Sequence, residues 1–210
     1  MLQGSVTMEM DIRQPKQKRA IEKKEKIIDS GFELICENGY YNTNTAEIAK
    51  KADVSTGIVY QYFKDKHAIF MAAIDKYGDD IFFPMLNINN INFKTASFES
   101  VMRNMVDGYI KNHRVSEIAH EEIMSMIHSD SDVAGYYYKR ELQMTEKIKR
   151  LLITNNFKDN HLYEKVHIMI GMIDNLCHEI IYHKHKSMDY DAMTNIVIDN
   201  ITNLFKNDIT

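Results

Sequence analysis

The chain has 210 residues, 44% hydrophobic and 27% charged, and a formal net charge of −4. That length suffices for one large core or two modest ones. No apolar run approaches the ~18 residues that cross a bilayer, and the opening MLQGSVTMEMDI lacks the cationic start and apolar block of a signal peptide. A cytoplasmic protein with no membrane partner is therefore expected. Two distant cysteines, Cys36 and Cys177, suit a reducing compartment better than a disulfide framework.

A net negative charge argues against a generic nucleic-acid binder, but the charge is unevenly spread. Residues 13–26 hold seven Lys or Arg against two Glu, whereas from residue 68 onward 15 basic residues face 20 acidic ones. A cationic front on an acidic body suggests that the N-terminal end meets an anion.

Residues 18–38 form the first predicted helix, with Ile28, Phe32 and Ile35 on one face and Ile27, Gly31 and Leu34 widening it. Asn38-Gly39 ends it, since glycine accepts the left-handed conformation at a helix C-terminus. Asn44 with Glu47 fits a capping box that starts a short helix over about 45–52, turning Ile48, Ala49 and Ala52 inward. After a break at Ala52-Asp53-Val54, Ser55 is placed to cap a third helix ending near Tyr62. A fourth runs from Lys66 to about Tyr77. Two short helices joined by a three-residue turn make a helix-turn-helix pattern.

The Asn-rich segment 81–93, which contains Pro84, reads as a connector between domains. Further helices are expected over 95–113, 117–128, 133–155, 161–184 and 190–206. Strand candidates are essentially absent, so the fold class is all-α, with about nine helices in a three-helix head and a larger helical domain.

From Ile27 to about Ile74 the chain resembles the DNA-binding domain of TetR-family transcriptional regulators. The residues that carry the likeness are Ile27-Ile28, Gly39-Tyr40, Glu47-Ile48-Ala49, Ala52, Val54-Ser55, Gly57, Val59-Tyr60, Tyr62-Phe63, Lys66 and Phe70. The resemblance implies a flexible arm over 1–17, a DNA-binding head over 18–66, and a helical ligand-binding and dimerisation domain over 67–210. It further implies a homodimeric repressor, not an enzyme, that leaves DNA when a small molecule binds. The sequence departs from the family at Asp53, where glycine is usual, at Thr56, where a basic residue is usual, and at Ile58, where threonine is usual. Asp also tolerates the left-handed conformation, so the turn survives. The departures at Thr56 and Ile58 bear on which operator is read.

Within the third helix, Val54, Val59 and Phe63 are spaced to pack on Ile48 and Phe32, which leaves Thr56, Gly57, Ile58, Tyr60, Gln61 and Tyr62 for the opposite side. Gly57 costs helix stability, up to ~1 kcal/mol against alanine, as expected if the backbone must approach another surface. Gln61 suits a paired hydrogen bond to adenine, while Ile58 and Thr56 offer methyl groups to thymine. Base reading is thus assigned to Thr56, Gly57, Ile58 and Gln61. The resemblance assigns phosphate contacts to Asn44, Thr45, Tyr60, Tyr62 and Lys66, and Arg13, Lys16, Lys18 and Arg19 extend the contact. One reading helix spans only a few base pairs, so a palindromic duplex operator and a homodimer follow.

Ile170, Ile173, Cys177, Ile181, Ile196, Val197, Ile201 and Leu204, on the last two helices, are the expected dimer interface. Segment 102–144 supplies adaptable apolar walls for a small, largely apolar effector: Met102, Met105, Tyr109, Ile123, Met126, Tyr137, Tyr138 and Met144. Glu122, His113 and Asn175 are its candidate polar contacts. CHEIIYHKH at 177–185 lacks the HExxH spacing, so no metal and no cofactor are expected. Two other readings stay open, a helical enzyme and a DNA-architectural protein without sequence preference.

Overall fold

The computed structural model describes residues 18–82, 97–112 and 115–208, with the side chains of 79–82 and 112 left out. Among the described residues the regular structure is entirely helical, in the order α1 (Lys18–Asn38), α2 (Thr45–Lys51), α3 (Thr56–Tyr62), α4 (Lys66–Phe82), α5 (Phe98–Asn112), α6 (Glu117–Ser129), α7 (Ser131–Thr154), α8 (Leu162–Ile181) and α9 (Tyr190–Phe205). Arg13, Lys16, His113 and most of the 81–93 connector lie outside the described residues. None of the described helices is long and apolar enough to cross a membrane.

The chain divides into two compact units, one reaching to Gly78 and including Val115–Met126, the other made of Asp79–Arg114 and Ile127–Thr210. The first unit therefore takes in most of α4 and most of α6 besides the three expected head helices. Its core is built from Ile27, Phe32 and Ile35 of α1, Ile48 and Ala49 of α2, Val59 of α3 and Ile69, Phe70, Ala73 and Ile74 of α4, all buried. At the expected rate of about 25 cal/mol per Å2 of apolar surface, each of the Ile, Val and Phe side chains contributes about 1.5–3 kcal/mol.

Local chemistry sets the helix ends. Gly39 adopts φ 87° after α1, so the chain turns there without the Cβ clash another residue would meet. Asn44 accepts hydrogen bonds from the backbone of Ala46 and Glu47, each at 3.0 Å, while Glu47 accepts from the Asn44 N–H at 3.2 Å. That is the expected capping box, which satisfies otherwise orphaned N–H groups. Asp53 takes φ 56° in the turn, and Ser55 caps α3 through the Ile58 N–H at 3.4 Å.

The second unit packs α8 against α5, α7 and α9, with α5 also touching α9. Leu162, Val166, Met169, Ile170, Ile173, Leu176 and Cys177 of α8 are all buried. Phe98 lies 5.1 Å from Phe205 and 5.7 Å from Phe157, ring centre to ring centre. A buried ion pair from Lys165 to Asp208, 2.5 Å long, ties the end of the chain to α8.

Candidate nucleic-acid interface

In the first unit, α3 presents two unlike faces. Val59 is fully buried, and Tyr62 and Phe63 are only 5% and 4% exposed, while Thr56, Gly57, Tyr60 and Gln61 are exposed and Ile58 is half-buried. A Cβ built on Gly57 would meet only the Ser55 hydroxyl, at 3.9 Å, an ordinary contact. Nothing inside the protein requires glycine at this position. The space above its backbone is open, and a glycine that lowers helix propensity there calls for a partner from outside.

The flanking residues complete the surface. Thr45 at the start of α2 and Tyr60 in the middle of α3 share a hydrogen bond between their hydroxyls at 3.1 Å, which fixes the exposed phenol beside the α2 N-terminus. Asn44 uses its side-chain oxygen for capping, leaving its amide N–H groups for other partners. Lys18, Arg19, Lys50 and Lys64 are exposed on the same unit, and only weak neighbours compete for the first and last, Glu22 at 4.0 Å and Asp65 at 3.9 Å.

Two expected phosphate contacts are corrected. Tyr62 stands one helical turn after Val59, so the α3 periodicity that buries Val59 buries Tyr62 too. Lys66 donates to the carbonyls of Tyr40 and Thr43 at 2.6 and 2.8 Å, with its ammonium 4.1 Å from the Tyr40 ring centre. Burial lowers its pKa, against the opposing pull of Glu122. Lys66 clamps the 39–43 loop, and two of its three donors are already spent.

The same loop explains Glu122, expected as a ligand contact. Its carboxylate accepts the Tyr41 N–H at 2.9 Å, and the Ser116 N–H donates to the Cys36 carbonyl at 3.0 Å. These bonds dock the first part of α6 onto the first unit, where Ile123 and Met126 are buried. A second anchor joins α1 to α4: Lys76 meets Glu25 at 2.5 Å and Asp29 at 2.6 Å, and the Tyr77 hydroxyl donates to Asp29 at 2.7 Å. Burial works to lower the Lys76 pKa, but the bonds to Asp29 and Glu25 outweigh it and raise it.

In the second unit, Met102, Met105, Tyr109 and Met144 are buried and Tyr137 is half-buried, whereas Tyr138 and Asn175 are exposed. Among the interface candidates, Ile170, Ile173, Cys177 and Ile201 are at most 3% exposed in the single chain. They fill their own unit's core, because α8 is packed by three helices at once. Ile181, Val197 and Leu204 are half-buried and Ile196 is 60% exposed, with Ile168 also exposed on α8. The sequence reading missed one polar group altogether. Tyr109 donates to Asp174 at 3.2 Å, and the same carboxylate lies 3.5 Å from His178 Nδ1. Burial raises the Asp174 pKa to about 7 and lowers that of His178 to about 4, with His183 adding to the latter. Both shifts favour the uncharged forms, so in weakly acidic solution these are neutral neighbours rather than an ion pair. An acid four residues before a histidine on an otherwise apolar helix was the available signal.

Residues 27–73 match the family described as bacterial regulatory proteins, tetR family. That segment is a TetR-family domain. The chain is 27% identical over 146 residues to the HTH-type transcriptional regulator HbdR of Aromatoleum sp. (strain CIB), a match covering 69% of this chain and 56% of that protein. Across the first curated relatives it matches, the chain spans from 23% to 64% of their length.

Solved structures of TetR-family and related regulators share the fold. A putative TetR-family regulator from Mesorhizobium loti superposes with a TM-score of 0.66 at 15% identity, over 91% of this chain and 98% of that one. A putative transcriptional regulator from Saccharomonospora viridis, solved in complex with choline, gives 0.64 at 16% identity, over 86% and 96%. Over the described residues, the helical head and larger helical region agree with the architecture expected for the TetR family.

Proposed function

We propose that this chain is a sequence-specific DNA-binding transcriptional regulator, acting as a repressor that leaves a palindromic operator when a small effector binds. The observation that carries this reading is the exposed face of α3, where Thr56, Gly57 and Gln61 point away from the core, Tyr60 is held by Thr45, and open space lies above Gly57. In this reading Thr56, Ile58 and Gln61 face base edges, with Gly57 letting the backbone close in. Tyr60, Thr45 and the Asn44 amide hold phosphates and set register, and Lys18 and Arg19 add charge.

The chain acts as a homodimer, because one seven-residue helix covers too little DNA for specificity and two-fold symmetry doubles the site. Ile168, Ile181, Ile196, Val197 and Leu204 form the patch left for the partner copy once the core residues of α8 and α9 are set aside. The effector binds in the second unit against Met102, Met105, Tyr109, Tyr137 and Met144, and its walls are largely apolar. Release requires that the effector prefer a conformation in which the two heads no longer match the groove spacing. The alternative of a helical enzyme gains no support from the proteins matched above, which are named as transcriptional regulators.

Selection from a pool of random duplexes tests the reading. The expected outcome is enrichment of one short two-fold-symmetric sequence whose half-sites are one helical turn apart, or a multiple of it. Recovery of unrelated sequences with equal efficiency would identify a non-specific architectural protein instead.

A further inference from the structure

The loop 39–43 leads directly into Asn44 and Thr45, two of the proposed phosphate contacts at the start of α2. Its internal hydrogen bonds are short-range. The Thr43 hydroxyl donates to the Gly39 carbonyl at 2.9 Å, and the Thr43 N–H donates to the Tyr40 carbonyl at 3.3 Å. Two side chains from distant helices hold the loop from outside. Lys66 of α4 donates to the Tyr40 and Thr43 carbonyls, and Glu122 of α6 accepts the Tyr41 N–H at 2.9 Å. One side chain takes up carbonyls and the other an N–H, so the loop is pinned from α4 and from α6 at once.

Gly39 shows how closely the Glu122 carboxylate sits. A Cβ built on Gly39 would come within 2.7 Å of Glu122 Oε2 and 2.9 Å of its Cδ and Oε1. The carboxylate therefore lies broadside against this residue, in space that any other side chain would claim. Gly39 also takes φ 87°, so one glycine serves both the turn and the seat of the carboxylate. The α6 end of the tie is itself fixed. The Ser116 N–H donates to the Cys36 carbonyl at 3.0 Å, and Ala119, Ile123 and Met126 are buried. The Tyr41 side chain is 64% exposed, so burial does little to fix that corner of the loop and the hydrogen bond from its backbone does more.

We infer that Glu122 is a positioning residue for DNA binding, whose hydrogen bond to the Tyr41 N–H holds the 39–43 loop so that Asn44 and Thr45 meet phosphates in register. The inference rests on the start of α2 being a phosphate contact, as proposed above. A carboxylate is repelled by a phosphate, so Glu122 acts through the Tyr41 backbone and not on the duplex itself. An untied loop would have to be ordered as DNA arrives, and the chain freedom lost would be subtracted from the affinity. Held beforehand, the loop presents Asn44 and Thr45 without that loss. Phosphate contacts set register and carry no sequence information, so Glu122 governs affinity and leaves base preference to α3.

Mobility-shift titration on the selected duplex tests this with two near-isosteric variants. Each protein's active fraction is set by stoichiometric binding, which removes the loss of folded protein that a purely structural role would cause. Glu122→Gln keeps the reach and an acceptor oxygen but not the charge, and its affinity should stay within roughly threefold of the wild type. Glu122→Asp keeps the charge but withdraws it by one methylene, and should lose roughly tenfold in affinity. In the Glu122→Asp background, Thr45→Ala should cost less than it does in the wild type, while Gln61→Ala should cost the same to within roughly twofold. Wild-type affinity in Glu122→Asp, or a Glu122→Gln affinity as low as that of Glu122→Asp, overturns the inference. So does an equal loss from Thr45→Ala in both backgrounds, which leaves the DNA-reading surface standing. No loss from Thr45→Ala in the wild type removes the phosphate contact at α2, and the inference with it.

Discussion

On α3 of the first unit the polar side chains face outward, whereas around Asp174 of the second unit several are enclosed, and the contrast sets two kinds of site apart. On α3 the exposed Thr56, Tyr60 and Gln61 lose nothing by facing water, so their energetic value appears only when a partner arrives. Around Asp174 the polar groups are enclosed, and burial shifts Asp174 and His178 toward their uncharged forms. Exposed polar groups on a short helix suit contact with a macromolecule, whereas enclosed ones are tied to the packing and protonation of their own unit.

Substitution of Gly57 is the strongest way to break that contrast. The Cβ that Gly57→Leu adds makes only an ordinary contact, to Ser55, and the change replaces a poor helix former with a good one, so the melting temperature should hold or rise. DNA affinity should nevertheless collapse toward the non-specific level, a loss of roughly a thousandfold or more, seen by mobility shift on the selected duplex. A smaller and sharper effect is expected from Gln61→Ala, which should relax preference at one base pair of each half-site by about 1–3 kcal/mol while sparing stability. Equal weakening on every sequence would show that Gln61 does not read a base.

Lys66 tests the boundary between structure and contact. Lys66→Met leaves the Tyr40 and Thr43 carbonyls without their donor and should destabilise the chain by about 1–3 kcal/mol in urea. The slope of log affinity against log salt should stay as in the wild type. A slope smaller by about 1 would restore the phosphate contact that the resemblance assigns to it.

The smallest effect concerns pH in the second unit. The folded pKa of Asp174 lies above the ordinary carboxylate value, so its contribution to stability is complete below that value and is lost as pH rises through about 7. The folded pKa of His178 lies below the ordinary imidazole value, so its contribution is present above that value and is lost as pH falls toward about 4. The two slopes oppose one another across the weakly acidic range, and the wild-type melting temperature should vary little there. His178→Gln should expose the Asp174 slope, with stability falling by a few degrees as pH rises. Asp174→Asn should expose the opposite slope. Thermal melts between about pH 4 and pH 8 distinguish these outcomes.

Much of the first unit was legible in the sequence because its devices are local. The Asn44–Glu47 capping box, the Ser55 cap, the left-handed Gly39 and Asp53 and the buried Val59 each depend on residues a few positions apart. Long-range pairings were not legible. Lys66 reaches back to a loop more than twenty residues earlier, and Glu122 to Tyr41 over 81 positions, and no periodicity announces either. Tyr62 was legible but outweighed, since its spacing from Val59 points inward while the resemblance points outward. On α8 an apolar stripe cannot say whether it faces a second copy or its own unit. Packing by α5, α7 and α9 decides that for Ile170, Ile173 and Cys177.

Hydrogen–deuterium exchange of the full chain, free and bound to the selected duplex, tests the division most directly. DNA should slow exchange across residues 56–61 and at the start of α2 near Thr45, since those backbones lie at the proposed contact. Unchanged exchange at α3 in a saturated complex, with protection elsewhere on the chain, would contradict the assignment of that helix as the DNA reader.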